Sequence, residues 1–149
     1  IARAYGMTVL WAEHQGQAPR NEDYTAFDEV LARSDVISLH CPLNEDTKHL
    51  INKDTLAKMQ KQPLIVNVAR GGIVDSQALT GAVNNEQILG YASDVFEAEP
   101  ITEDDPLLSL KDHPRVIFSA HNAWGSESAQ LTLWRILSKQ VSAFIGKTG

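Results

Sequence analysis

Apolar residues fall in short unbroken runs, and between the runs they recur at every third or fourth position. Unbroken runs mark buried strands, and the wider spacing marks helices with one buried face. On this pattern IARAYG is the last turns of a helix stopped by Gly6, and MTVLWA is a strand ending at Glu13. His14 to Glu22 is polar loop. Thr25 and Asp28 form a T-x-x-D capping box ahead of Phe27, Val30 and Leu31, which predicts a short helix over AFDEVLARS. DVISLH is the next strand, followed by the long connection CPLNEDTKHLI and by a helix over DTLAKMQ, with Asn52 as its cap. PLIVNVA is a buried strand that stops at Arg70-Gly71-Gly72, and Asp75 caps a helix whose Ala78, Leu79, Ala82 and Val83 share one face. GYASDV and RVIFSA add two strands, separated by a loop rich in acids and prolines. Ser126 to Ile145 is one long helix with Trp134, Leu137, Val141, Phe144 and Ile145 in a stripe.

Strands alternating with helices predict an α/β chain built on a parallel sheet. Ligands of such sheets gather at the carboxyl ends of the strands. Glu13, His40, Arg70, Asp94 and His121 each stand at or just past such an end.

Composition narrows the partners. Thirteen basic against nineteen acidic side chains give a net charge of -6 with no basic run, which argues against nucleic acid and anionic membrane and for a small molecule. No apolar stretch approaches the ~20 residues of a membrane helix. The single cysteine, Cys41, excludes an intrachain disulfide framework and fits a reducing compartment, so the cytoplasm is the expected location.

Several of the residues at strand ends could carry chemistry. An acid at Glu13 could accept the hydroxyls of an adenosine ribose, or be a solvated loop carboxylate. Arg70, between a buried strand and two glycines, could fork onto a carboxylate through two charge-assisted hydrogen bonds, or pair with a nearby acid of the chain. Glu99 and His121 both follow strands that open on one crevice. A carboxylate beside an imidazole fixes its tautomer and favours the charged ring, which lets the histidine donate a proton; a structural histidine is the alternative. Asp94 could point into the same crevice or cap a turn. His40 and Cys41 are adjacent on an extended segment, point to opposite faces and chelate poorly, so no metal site is expected.

Taken together, GMTVLWAEH, SDVISLHCPLNEDTKHLIN, NVARGGIVD, GYASDVFEAEP and the loop around His121 resemble the NAD-binding domain of the D-isomer-specific 2-hydroxyacid dehydrogenases. The resemblance runs through nearly the whole chain, in order. It implies a Rossmann-like doubly wound parallel sheet and hydride transfer between NAD and a small 2-keto or 2-hydroxy acid. The family's substrate-binding arginine falls on Arg70, its catalytic histidine on His121 and the partner acid on Glu99. Its ribose acid falls on Glu13 and its nicotinamide-side aspartate on Asp94. His40, Cys41 and Pro42, with Val68, Ala69 and Arg70, fall on cofactor-lining segments that His121 also borders. WAEHQG, YTAFDEVLARSDVISLHCPL and HNAW are most similar to the glycerate dehydrogenase (hydroxypyruvate reductase) branch, and Trp124 could wall the substrate pocket or simply pack. One departure is that Ser119-Ala120 precede His121 where the family usually has proline. Glu13, with no arginine directly after it, favours NAD because an acid repels a 2'-phosphate; NADP stays open through loop residues up to Glu22. Some relatives are NAD-sensing corepressors, which leaves a protein-binding module as the alternative.

The nine glycines include no G-x-G-x-x-G. By the resemblance the first strand and its glycine-rich loop precede Ile1, and the substrate domain is absent. Residues 1–149 are then expected to be the C-terminal part of a dinucleotide-binding domain, ending in the helix at about 126–145, inactive alone and homodimeric in the full-length protein. The position of the central strand should be empty, distorted or filled from another chain, because unpaired inner-strand backbone groups are costly.

Overall fold

The structure, a computed structural model, describes residues 1–146. The described residues contain six strands: β1 (Trp11–Ala12), β2 (Tyr24–Thr25), β3 (Val36–Leu39), β4 (Leu64–Asn67), β5 (Gly90–Ser93) and β6 (Val116–Phe118). Four α-helices accompany them: α1 (Phe27–Arg33), α2 (Lys53–Leu56), α3 (Ser76–Asn84) and α4 (Glu127–Ile145). Strands β3-β4-β5-β6 form one sheet in that order, every pair parallel, with Ile37 opposite Ile65 and Ile65 opposite Tyr91. The core lies against this sheet, where Ile65, Ile73, Leu79, Leu31, Ile51 and Tyr91 are fully buried.

Local chemistry accounts for most element ends. The Asn52 side chain accepts from the amides of Asp54 and Thr55, while the Thr55 hydroxyl accepts from the Asn52 amide at 2.8 Å, a reciprocal cap that starts α2. Asp75 accepts from the Ala78 amide at 3.0 Å and starts α3. Four expectations need correction. Ala2–Tyr5 is a single 3-10 turn closed by Gly6 at φ 78°, too short for a helix end. Thr25 does not cap α1: it pairs with Ala12 in the β1-β2 ladder, and its carbonyl accepts from the Glu13 amide at 2.9 Å. α2 is one turn and does not run through Met59 and Gln60. The acid-rich loop before β6 carries a 3-10 turn, Pro106–Leu110, capped by Asp105, because Leu107 and Leu110 bury themselves against the core beside α3. The expected stripe on α4 covers none of this core, for Trp134, Leu137 and Val141 are all exposed.

The strand expected over Met7–Ala12 is regular only at Trp11–Ala12, and β1 pairs with β2 in a separate two-stranded parallel sheet. Between Met7–Ala12 and β3 lies a cavity of about 1650 Å³. Met7 to Leu10 line it without a ladder on either side, which explains why they are not regular strand. The expected break in the sheet is therefore found between β1 and β3.

Gly90 starts β5 where its backbone meets that of Arg115, and a Cβ there would lie 2.4 Å from the Arg115 carbonyl oxygen. Gly90→Ala is expected to lower stability by about 1–3 kcal/mol through forced separation of β5 and β6. Urea unfolding of the variant beside the parent measures it.

Candidate active site

The ladders continue one step past the strands and place the site. The Asp94 amide donates to the Asn67 carbonyl at 3.0 Å, and the Ser119 amide to the Ser93 carbonyl at 3.0 Å. Asn67 ends the apolar run of β4 and is fully buried. Its Nδ2 donates to the Arg70 carbonyl at 3.0 Å and its Oδ1 accepts from the Ala69 amide at 3.1 Å, which shapes the turn that presents Arg70. The next residue, Gly71, lies so close to the backbone of Phe96 that a Cβ would fall 1.9 Å from the Phe96 carbonyl carbon. Only glycine permits that approach. The contact fastens the Arg70 turn to the loop that carries Glu99.

Glu99 is held on both oxygens. Oε1 accepts from the Phe96 amide at 3.0 Å, and Oε2 lies 2.6 Å from His121 Nδ1. The Phe96 amide first, then the His121 ring, hold the Glu99 carboxyl below its ordinary value, and the charge of Arg70 adds to this. Glu99 is thus ionised and has no proton to give, so His121 Nδ1 carries one and donates it. That fixes Nε2 as the ring atom available for proton exchange with another group.

His121 sits at φ 51°, in the left-handed region. For a residue with a Cβ this conformation costs energy that the surroundings must supply. Asp94 supplies much of it. Only 4% exposed, its Oδ1 accepts from the Ser119 hydroxyl at 2.5 Å and the Asn122 amide at 3.0 Å, and its Oδ2 from the Ala123 amide at 2.8 Å. Burial pushes the Asp94 carboxyl up, but the Ser119 hydroxyl and the Ala123 and Asn122 amides outweigh it and hold it below its ordinary value. The Trp124 indole N–H donates to the His121 carbonyl at 2.8 Å and braces the same loop. Its ring is largely exposed.

The structure puts Glu99 and His121 in direct contact, while the Arg70 side chain bonds the Ala69 carbonyl and its charge only adds to what holds Glu99 ionised. Val68 and Asp94 border a cavity of about 130 Å³ with Ser119, Asn122 and Ala123, and Ala69 lies half-buried between Val68 and Arg70. Glu13, His40, Cys41 and Pro42 line the wide cavity beside β3. The His40 ring stands 2.8 Å from the Ser38 hydroxyl, and Cys41 packs on the core, where burial pushes its thiol up and away from nucleophilic use. Glu13 stands at the end of β1 as expected but is 2% exposed, with both oxygens taken by the Arg20 guanidinium, the Arg20 amide and the His14 amide. The Arg20 guanidinium first, then the His14 amide, hold its carboxyl far below the usual carboxylate range.

Sequence reasoning missed Asn67, Arg20 and the second histidine–carboxylate contact, His49 to Glu97 at 3.3 Å. A polar residue closing an otherwise apolar strand was a signal for Asn67. Arg20, seven residues from its partner in a polar loop, offered none.

Residues 1–123 match the family described as D-isomer specific 2-hydroxyacid dehydrogenase, NAD binding domain. The chain belongs to this family. A provisionally named 2-hydroxyacid dehydrogenase of Haemophilus influenzae is 43% identical over 146 residues, covering 97% of this chain and 46% of that protein. A hydroxypyruvate reductase of Blautia hydrogenotrophica is 36% identical over 148 residues, 97% of this chain and 45% of its own length. The D-lactate dehydrogenase of Aquifex aeolicus, solved with NAD and lactic acid, superposes with a TM-score of 0.84 at 31% identity, over 97% of this chain and 48% of that one. The chain thus spans about half the length of these relatives. Its fold is the Rossmann-like parallel sheet of the family. Its residues fit a dinucleotide: the wide cavity opens at the carboxyl ends of β1 and β3, walled by the weakly polar His40-Cys41-Pro42 segment, as such ligands require.

Asp94→Asn places an amide N–H against backbone donors. A loss of about 1–3 kcal/mol at neutral pH is expected. Because the folded carboxyl titrates below its ordinary value, the contribution of ionised Asp94 is complete above about pH 5 and drains as the pH falls through the folded value. The gap between parent and variant should therefore narrow in acid, as measured by chemical unfolding across pH.

Proposed function

We propose that residues 1–149 are the C-terminal part of a dinucleotide-binding domain in a larger oxidoreductase that interconverts a small 2-keto acid and its 2-hydroxy acid. The supporting observation is the 2.6 Å contact of Glu99 with His121 Nδ1, beside a guanidinium whose charge reaches the same carboxylate. Bound NAD supplies the hydride acceptor or donor at the carbon that is oxidised or reduced. Arg70, exposed and with its side chain hydrogen-bonded only to the Ala69 carbonyl at 2.7 Å among the described residues, forks onto the substrate carboxylate. His121 gives a proton from Nε2 to the oxygen of the former carbonyl during reduction and takes it back during oxidation. Glu99 keeps the ring in the required tautomer and offsets its charge. Glu13, His40, Cys41, Pro42, Val68, Ala69 and Asp94 border the dinucleotide, Asp94 chiefly by holding the His121 loop.

Within the family we read the substrate as hydroxypyruvate or D-glycerate, on the likeness of WAEHQG and HNAW to that branch. Trp124, held on the His121 loop with its ring exposed, walls the substrate side. No helix of the described residues is long and apolar enough to cross a membrane. Exposed Leu131, Leu133, Trp134 and Ile136 on α4 support assembly with further protein, in keeping with a homodimer.

The test is steady-state kinetics of the intact protein carrying this chain, with NADH and a panel of hydroxypyruvate, glyoxylate and pyruvate. His121→Ala should lower kcat by about 10²–10⁴. Arg70→Ala should raise KM for the keto acid by about ten- to a hundredfold, as the loss of a charge-assisted fork predicts. His121→Ala retaining parental turnover on every acid of the panel would sink the proposal.

A further inference from the structure

We propose that Arg20 sets the dinucleotide preference of this chain, so that an adenosine ribose carrying a 2'-phosphate is accepted alongside one that carries none. The inference rests on the reading above that the end of β1 receives the adenosine ribose. A free acid at that position accepts the ribose hydroxyls and repels a 2'-phosphate, whereas an arginine nearby accommodates it.

Glu13 is not a free acid. Its Oε1 accepts from Arg20 Nη2 at 2.5 Å and from the His14 amide at 2.9 Å, and its Oε2 from Arg20 Nε at 2.8 Å and the Arg20 amide at 3.0 Å. A carboxylate offers about four lone-pair positions, and these four bonds fill them. No acceptor remains for a ribose hydroxyl unless the fork opens. The charge is cancelled as well, because the guanidinium lies in bidentate contact with it.

Arg20 is held for a second task. Its guanidinium carbon stands 4.4 Å from the centre of the Tyr24 ring, so the plane is fixed on one side by β2 and on its edge by Glu13. The side chain is still 49% exposed. Of its five N–H donors, Nε–H and one on Nη2 are spent on Glu13; both on Nη1 and the other on Nη2 have no protein partner among the described residues. A planar fork with donors to spare is the group that takes phosphate. Glu13, His14 and Gln17 line the wide cavity at this corner, and the fork, which is not itself in that lining, reaches the groove through its bonds to Glu13. The motif escapes a search for an arginine directly after the acid, because the polar loop returns Arg20 to Glu13 from seven residues away.

Equilibrium titrations of the intact protein, following the fluorescence of NADH and NADPH, test this without turnover. The parent should bind the two with Kd values within about tenfold of each other. Arg20→Ala should weaken NADPH by about ten- to a hundredfold, the worth of charge-assisted bonds to phosphate, while NADH changes little. Glu13→Gln, which frees the fork and leaves no buried lone charge, should tighten NADPH relative to NADH. If the parent binds NADH but discriminates against NADPH by more than about a hundredfold, or if the variants move both Kd values together, Arg20 is not the determinant and the dinucleotide reading stands. If neither dinucleotide binds, both readings fall.

Discussion

Asp94 carries more of the candidate site than Arg70, Glu99 or His121 does. The parallel ladder delivers it to the end of β5, and its two oxygens gather a hydroxyl and two amides from the segment 119–123. Those three bonds compensate the left-handed backbone at His121. Strain at one residue can persist only where its neighbours are over-determined, and here a buried anion with three donors does that. Ser119, two residues before His121, stiffens this loop through its hydroxyl bond to Asp94.

Three carboxylates show how one residue type is set to different tasks by what surrounds it. Asp94 is buried and satisfied, so it acts on backbone. Glu99 is more exposed and shares its oxygens between an amide and an imidazole, so it acts on a proton-bearing ring. Glu13 is saturated by a guanidinium and acts through that partner. In each the folded carboxyl is held in its ionised form. The differences lie in which donor does so, and therefore in what the charge is left free to do.

Much of this was legible in the sequence, and the remainder was hidden for physical reasons. Short apolar runs marked β3 to β6, although only one face of the sheet is well covered and Val36 and Ile117 stay exposed on the other. Asn52 and Asp75 announced helix starts because caps act within three residues. Thr25 looked equally like a cap, but local pattern cannot see that a distant strand, β1, competes for its backbone. Arg70, Glu99 and His121 were named from strand ends and resemblance, yet spacing alone could not bring them together. What does so is Gly71, whose missing Cβ joins two loops, and no periodicity reports such a close approach. Arg20 was hidden for the same reason: its partner is set by how a polar loop folds back.

The wide cavity between β1 and β3 follows the same logic of satisfied groups. Its walls include backbone of Met7–Leu10 that belongs to no ladder, and such groups are tolerable where water reaches them. An occupant that removes the water without replacing its hydrogen bonds would leave those groups buried and unmade, at about 1–3 kcal/mol each. A purely apolar ligand is therefore a poor match for this groove. A molecule rich in hydroxyls, amides and phosphate oxygens, or an extended peptide segment, replaces what it displaces. The chemistry of the walls thus selects for a polar, elongated occupant before any individual side chain is considered.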